Sequence, residues 1–524
     1  MSPRLTVAMI VRDEAKMVPD FLEAARGLWD ELVVVDTGST DATVALFTEA
    51  GATIVHSPWA RDFAAARNVS LAHATGDWVL VLDPDERVSP GFIAECRAAL
   101  TRPSAGALLV RVSHQLPYGH RRDTWLLRGW RRDPSIHFRH PICEEADDDV
   151  NAMLATRGLS LERVEAPVLH LGYVRDRNAA RDKKARDAAL LRERLDVDPG
   201  DLFCWLKLLE LARAFSDEVL WREVAREATD LLEVRGREQL EGQAWGGELV
   251  ALIAEGLFAP DSAAGLTFLE GWAARLLPSP HFLLRRGFFR EHQGRWDAAR
   301  EDYEACLAAP AAHDPQLVAV APRLGLARLA LARHEPAAAL AHCRQALESG
   351  PRDPEALMAV ASLTRHLEGG LALEAFIRAH QALEPHCPER DWALGEALLA
   401  AGEHQGAVAA FRRAAGVPPG GPAGLRLAQS LLASGQVAAS ERLAHQLLPA
   451  QPEAGLGVLL FDLAAGRDTS LELELTEESA HAALKQWVDA LVASRERALL
   501  RRIRARVGAV GAIFPWLPAY LLSA

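Results

Sequence analysis

Cysteine is scarce and poorly placed to staple anything. The six residues, at 96, 143, 204, 306, 343 and 387, have neither disulfide-framework nor metal-ligand spacing. That excludes a small disulfide-knit domain and a zinc ribbon, and predicts a reducing compartment. Tyrosine and methionine are also rare, at 4 and 5. No run of about 18 apolar residues is present, so no bilayer-spanning helix is expected. Met1-Ser2-Pro3-Arg4 leads straight into a short apolar stretch with no signal-peptide core, and a cytoplasmic location is expected. Basic residues are outnumbered, 58 against 71 acidic, for a net charge of −13. That balance argues against general nucleic-acid binding.

What is present is ample material for several cores. A chain of 524 residues is too long for one, so two or three domains are expected. Hydrophobic content of 49% with 25% charged residues is that of a globular protein. Residues 5–11, 31–36, 53–56 and 78–82 read as strands. Helical stretches alternate with them, giving the β-α-β-α-β-α-β order of a mostly parallel, Rossmann-like sheet. In such sheets ligands bind beyond the carboxyl ends of the strands. Glu14, Asp36 and Asp83/Asp85 all follow strand ends and are expected to face one crevice.

Trp78-Val79-Leu80-Val81-Leu82 is the most apolar of these strands, and it ends in Asp83-Pro84-Asp85-Glu86. Two aspartates one residue apart in a turn can both offer oxygen to one hard cation, Mg²⁺ or Mn²⁺, with a bound diphosphate completing the shell. Alone, the same residues read more readily as an acidic turn that solubilises a loop.

Farther on, residues 107–112 read as a strand. Tyr118 to Arg139 carries Arg121, Arg122, Arg128, Arg131, Arg132 and Arg139 interleaved with Trp125 and Trp130. Basic-plus-aromatic composition suits nucleic acid, but the stretch is short and the chain acidic. An acceptor or donor loop over the crevice is the preferred reading. Asp147-Asp148-Asp149 reads as an acidic loop, and 167–173 as a last strand. A charged helix follows from Asp176, in which Lys183 or Lys184 can reach a phosphate.

Strand signals vanish after Asp198-Pro199-Gly200-Asp201. Helical segments then show an internal period. Gly395, Ala407, Phe411, Ala414 and Pro419 have the small, small, aromatic, small, proline spacing of a tetratricopeptide repeat. Ala428, Ser440, Ala444, Leu447 and Pro452 fit the same frame 33 residues later. Ala327, Ala339, Cys343, Ala346 and Pro351 fit it as well. Gly287, Ala299 and Tyr303 open an earlier copy, and Ala372, Phe376 and Ala379 mark a weaker one. Small residues at these positions let paired helices approach closely. The expected division is 1–198 for the sheet domain, 199–280 for a helical connector, 281–455 for the repeats and 456–524 for a terminal cap. The Arg-rich stretch 495–506 is read as a capping helix rather than a membrane-surface anchor.

The first 195 residues resemble an inverting family 2 glycosyltransferase of GT-A fold, in the bacterial subgroup where tetratricopeptide repeats follow. The motifs carrying the resemblance are Ile10-Val11-Arg12-Asp13-Glu14, Val35-Asp36-Thr37-Gly38-Ser39-Thr40-Asp41, Asp62-Phe63-Ala64-Ala65-Ala66-Arg67-Asn68, Ala74-Thr75-Gly76-Asp77-Trp78, Leu82-Asp83-Pro84-Asp85-Glu86 and His170-Leu171-Gly172-Tyr173. The resemblance implies a nucleotide-sugar donor, with a UDP-sugar favoured. Val11, Glu14, Asp36, Asp62, Arg67, Asp83 and Lys183 would bind it. Asp85, Asp83 and His170 would hold Mn²⁺ or Mg²⁺. Glu144, in Pro141-Ile142-Cys143-Glu144, aligns as the base, with Cys143 where the subgroup often has histidine.

The expected activity is hexosyltransferase-like transfer to an acceptor, with a protein or peptide presented by the repeats. A sugar-extending transferase for surface polysaccharide or lipid-linked glycan is the rival, and an inactive repeat scaffold the rival of another class. No nucleic-acid partner is expected. The oligomeric state is not legible.

Overall fold

β1 (Leu5–Val11), β2 (Glu31–Asp36), β3 (Thr53–His56) and β4 (Trp78–Val81) form where the apolar runs predict. They are joined by α1 (Val18–Ala24), α2 (Thr43–Glu49) and α3 (Phe63–His73). A computed structural model describes residues 2–115, 121–171, 177–215, 217–240, 245–258, 261–277, 279–309, 316–416, 421–467 and 477–506. The runs are continuous rather than alternating because both sheet faces are covered. Trp78, Leu80 and Leu82 enter one core, with Phe21, Phe47 and Phe92. Val79 and Val81 enter the other, with Trp130, Val150 and Met153.

β5 (Glu86–Arg87), α4 (Pro90–Leu100), β6 (Ala105–Gln115), β7 (Arg121–Arg131), α5 (Asp147–Arg157) and β8 (Ser160–His170) complete an eight-stranded sheet of order β3-β2-β1-β4-β7-β6-β8-β5. β1 to β4 are mutually parallel, and β6 is parallel to β8. β7 runs antiparallel to both its neighbours, and β5 antiparallel to β8.

Two sequence expectations need correction here. The stretch read as an Arg/Trp loop is largely β7, inside the sheet. Its alternation is strand alternation: Trp130 is buried below the sheet while Arg131 lies over the Trp78 ring at 5.3 Å. Residues 118–120 lie outside the described residues. The acidic loop is instead the first turn of α5, where three carboxylates suit the positive end of the helix dipole.

The chain divides into two compact units, the first running to Leu329 and the second from Ala330. The first therefore continues past the sheet into α6 (Arg177–Val197), α7 (Leu202–Ala214), α8 (Glu218–Gln239), α9 (Gly246–Phe258), α10 (Ser262–Trp272), α11 (Pro280–His292), α12 (Trp296–Ala308) and most of α13 (Ala321–Ala332). Ile142, from the segment after β7, is buried among the apolar residues of α6 to α11.

The second unit is all helical: α14 (Pro336–Ser349), α15 (Pro354–Leu367), α16 (Gly370–Leu383), α17 (Pro388–Ala400), α18 (His404–Ala415), α19 (Gly421–Ala433), α20 (Val437–Leu447), α21 (Pro452–Ala465), α22 (Glu477–Ala493) and α23 (Arg497–Arg506). The repeat spacing is explained by contact. A Cβ on Gly395 would stand 2.7 Å from the Phe411 ring, so α17 and α18 pack with no room for one. In the next copy Ser440 Oγ donates to Ala428 O at 2.7 Å, tying α20 to α19. In the first unit a Cβ on Gly287 would lie 2.8 Å from Tyr303. The weaker copy sits one residue from its expected register. Ala361, Leu373 and His380 are buried, whereas Ala379 is exposed. Ala361, Leu373, Ile377, His380 and Pro385 keep the repeat spacings, with a histidine in the last small position. Its Nε2 lies 2.6 Å from Pro351 O, which gives the imidazole a partner inside the core.

α23 buries Leu499 and Ile503, and Arg506 Nη1 donates to Leu463 O and Ala464 O at 3.1 Å. Those are end carbonyls of α21, where Leu463 O also accepts from the C-cap Gly466 N–H at 3.3 Å. The apolar stretch 507–522 lies outside the described residues. Among the described residues no helix is long and apolar enough to cross a membrane.

Candidate active site at the strand ends

β4 leaves the sheet after Val81, and the chain turns at Asp83-Pro84-Asp85. The turn closes when Asp83 N–H donates to the Glu86 carboxylate at 2.9 Å. Glu86 then pairs with His170 at the end of β8, and Leu171 N–H donates to Asp85 O at 3.0 Å. This places Asp83, Asp85 and His170 at one edge.

α3 supplies the cation that faces them. Asp62 caps this helix, accepting from Ala65 N–H at 2.8 Å. One turn on, Arg67 is buried, its side chain 7% exposed. Its Nη2 donates to Asp83 Oδ1 at 2.9 Å and its Nε to Glu144 Oε1 at 3.1 Å. The remaining nitrogen, Nη1, is buried with no hydrogen-bond partner. Arg128 of β7 adds a second cation, donating to Glu86 Oε1 at 2.9 Å and lying 3.8 Å from Asp83 Oδ2. The result is an alternating row: Glu144, Arg67, Asp83, Arg128, Glu86. Burial works to raise the Asp83 pKa, but the two arginines outweigh it and hold the carboxyl below its usual range. Burial dominates at Glu86, and its pKa is raised.

Glu144 reaches this row from a hairpin closed by Arg139 and Glu145, whose backbones exchange hydrogen bonds of 2.9 and 3.2 Å. α3 pins the hairpin. The Asn68 side chain donates to Phe138 O at 2.9 Å and accepts from Phe138 N–H at 2.8 Å. Phe63 N–H donates to Pro141 O at 2.8 Å. His140 and Cys143 take left-handed backbone, φ 67° and 54°, a strained geometry that clusters at functional sites. His140 also stacks on Phe203 of α7, at 3.9 Å between ring centres.

Asp36 is the last residue of β2, two strands from β4, which leads into Asp83. It accepts from Ser39 N–H at 2.9 Å, and His56 Nδ1 is 3.2 Å away. Burial would raise its pKa, but these hydrogen bonds prevail and lower it. Val11 O at the end of β1 accepts from both Thr37 N–H and Thr37 Oγ1 at 3.0 Å. Asp13, with φ 53°, accepts from Thr40 N–H at 2.7 Å, and Glu14 N–H donates to Thr43 Oγ1 at 2.7 Å. The loops after β1 and β2 are thus laced together, bringing Val11, Glu14 and Asp36 to neighbouring positions. The Lys183 side chain, Gly172 and Tyr173 lie outside the described residues.

The donor set fits a divalent cation in part. Asp85 Oδ2 and His170 Nε2 are 3.5 Å apart, an oxygen and an imidazole nitrogen side by side. Both Asp83 oxygens face arginines. Among the described residues no group of three or more His, Cys, Asp or Glu side chains forms a metal cage. A cation here would therefore rest on two side chains and take oxygens from a diphosphate. The sequence placed Arg128 in a loop over the crevice rather than in this row, because β7 was taken for a loop. It named Asn68 in a motif without a role, which only the pairing with Phe138 reveals.

Residues 6–157 match the model of Glycosyl transferase family 2. Over that stretch the N-terminal domain is similar to family 2 glycosyltransferases. A TPR repeat-containing protein of Synechococcus elongatus is 39% identical over 211 residues, 39% of this chain and 51% of that protein. The prophage-derived glycosyltransferase SunS of Bacillus subtilis is 26% identical over 203 residues, 38% of this chain and 46% of that protein. An uncharacterized glycosyltransferase of Rickettsia conorii is 30% identical over 89 residues, 17% of this chain and 31% of that protein. The chain spans about half the length of the first two relatives. The family 2 match covers β1 to α5, and so includes every member of the arginine–carboxylate row.

Proposed function

We propose that the protein is a metal-dependent, inverting glycosyltransferase that moves a hexose from a nucleotide sugar, a UDP-sugar by preference, to a protein or peptide acceptor. One observation carries the reading: Arg67 joins Glu144 to Asp83 at the sheet edge where Asp85 and His170 also meet. Asp36, Glu14 and Val11 hold the nucleoside at the ends of β1 and β2. Asp62 acts through α3, as the cap that sets the position of Arg67. Asp85 and His170 would hold Mn²⁺ or Mg²⁺, which would supply positive charge beside the leaving diphosphate.

Glu144 takes the proton of the acceptor hydroxyl or thiol as that atom attacks the anomeric carbon. The bond from that carbon to the diphosphate oxygen breaks, and its electron pair leaves with the diphosphate. Attack opposite the leaving group inverts the configuration. Arg67 holds the Glu144 carboxylate in place until the acceptor arrives.

The repeats favour a peptide acceptor, because arrays of paired helices offer extended surfaces for chain segments. The proposed location is cytoplasmic. The test is release of nucleoside diphosphate from a panel of nucleotide sugars, with and without Mn²⁺, read by mass spectrometry. No turnover of any donor would sink the enzyme reading in favour of a scaffold. Glu144→Gln is expected to lower kcat by about 10²- to 10⁴-fold while nucleotide binding persists.

A further inference from the structure

A pair of histidines lies behind the Asp85 edge, and one of them has no role so far. His114, next to last in β6, is in register with His170 at the end of β8. Their Nδ1 atoms are 3.0 Å apart and their rings nearly perpendicular, at 87°. His114 Nε2 lies 2.8 Å from Thr124 Oγ1 of β7. On the far side of the His170 ring, Nε2 faces Asp85 Oδ2 at 3.5 Å. Three strands and the turn before β5 thus contribute one line of side chains: Thr124, His114, His170, Asp85.

We infer that His114, anchored by Thr124, is a positioning residue that sets the ring orientation and tautomer of His170 for a divalent cation. The inference rests on the metal role proposed for His170. Nδ1 atoms at hydrogen-bond distance hold one proton between them. A histidine that offers its Nε2 lone pair to a cation carries its own proton on Nδ1. His170 Nδ1–H then donates to His114 Nδ1. His114 carries its proton on Nε2 and donates it to Thr124 Oγ1. Each position along the line is fixed by the next, and the final hydroxyl can accept. A ligating histidine needs such a partner on its other nitrogen, and losing one typically weakens metal affinity about 10- to 100-fold.

The test is a titration of the full chain with Mn²⁺, following free Mn²⁺ by electron paramagnetic resonance. It is run alone and with each common nucleoside diphosphate. Circular dichroism checks that each variant is folded. His114→Leu is expected to weaken Mn²⁺ binding about 10- to 100-fold. His114→Asn, whose amide oxygen can replace Nδ1 as acceptor, is expected to recover most of it. Should His114→Leu fail to fold, Thr124→Val removes only the outer bond and is expected to weaken binding several-fold. If His170→Ala loses Mn²⁺ while His114→Leu and Thr124→Val bind like the wild type, the inference falls and the metal site stands. If His170→Ala binds Mn²⁺ like the wild type, or the wild type binds none, the metal reading falls and takes the inference with it.

Discussion

Arg67 Nε donates to Glu144 Oε1 at 3.1 Å while Nη2 of the same guanidinium donates to Asp83 Oδ1 at 2.9 Å. The two carboxylates are 61 residues apart in sequence, and one buried cation fixes both. Arg67→Met leaves both carboxylates without their shared partner. Breaking a buried pair from one side costs about 3–5 kcal/mol. Arg128, still near Asp83, offsets part of that. The expected result is a clear drop in the urea midpoint at pH 7 together with loss of transfer. An unchanged midpoint would mean that the row contributes nothing to the fold.

A pH prediction comes from Glu31, away from the site. Its carboxylate accepts from Thr75 N–H and Thr75 Oγ1 at 2.7 Å, and from Thr6 Oγ1, so it joins β2 to β1 and to the approach to β4. Burial pushes its pKa up, yet these bonds prevail and the folded-state value is lowered. A lowered carboxylate pKa means stability that is present above the unfolded value, near 4.3, and lost as pH falls through the folded one. Glu31→Gln is therefore expected to be less stable at pH 7, by about 1–2 kcal/mol. The gap should close below about pH 4. Denaturant titrations at pH 7 and pH 3.5 check this, and a gap that widens in acid would refute it.

In the repeats the test is steric. Gly395→Val puts branches where even a Cβ would stand 2.7 Å from Phe411. Overpacking of this kind costs about 1–3 kcal/mol. Phe411→Ala, which opens a cavity in the same contact, is expected to cost about 3–5 kcal/mol. The double variant Gly395→Val/Phe411→Ala should be less damaging than the sum, since the valine fills part of the space. Strict additivity in thermal or denaturant unfolding would show that the two residues do not meet.

Period and punctuation made much of this architecture legible. Trp78 to Leu82 announced a buried strand because both sheet faces are covered, and the acids after Leu82 could only emerge at its end. The spacing from Gly395 to Phe411 announced a helix pair because only a missing Cβ admits the ring. What stayed hidden depends on pairing between distant segments. β7 looked like a loop because arginines mask its alternation, and their partners, Trp78 and the Asp83–Glu86 turn, lie some 45 residues earlier. His114 carries no local signal at all, since its meaning comes from register with His170. His380 defeated the repeat frame because a buried histidine replaces a small residue and finds its partner in Pro351 O.

The last prediction concerns how the base is held. Glu144 sits on a hairpin, and hairpins move more than the sheet beside them. Asn68 opposes that motion with two hydrogen bonds to the Phe138 backbone, one in each direction. Asn68 touches neither the metal pair nor the residues assigned to the nucleoside. Asn68→Ala should therefore leave Mn²⁺ and nucleotide affinity near wild type. It should let Glu144 drift from the acceptor, and a misplacement of about 1 Å can cost about 10²-fold in rate. The expected signature is a fall in kcat of about 10- to 100-fold with little change in donor KM. Asn68→Asp keeps the acceptor for Phe138 N–H but loses the donor to Phe138 O, so it should fall between the two. If Asn68→Ala instead raised donor KM and left kcat intact, the hairpin would be serving the donor, and Glu144 would lose its claim to be the base.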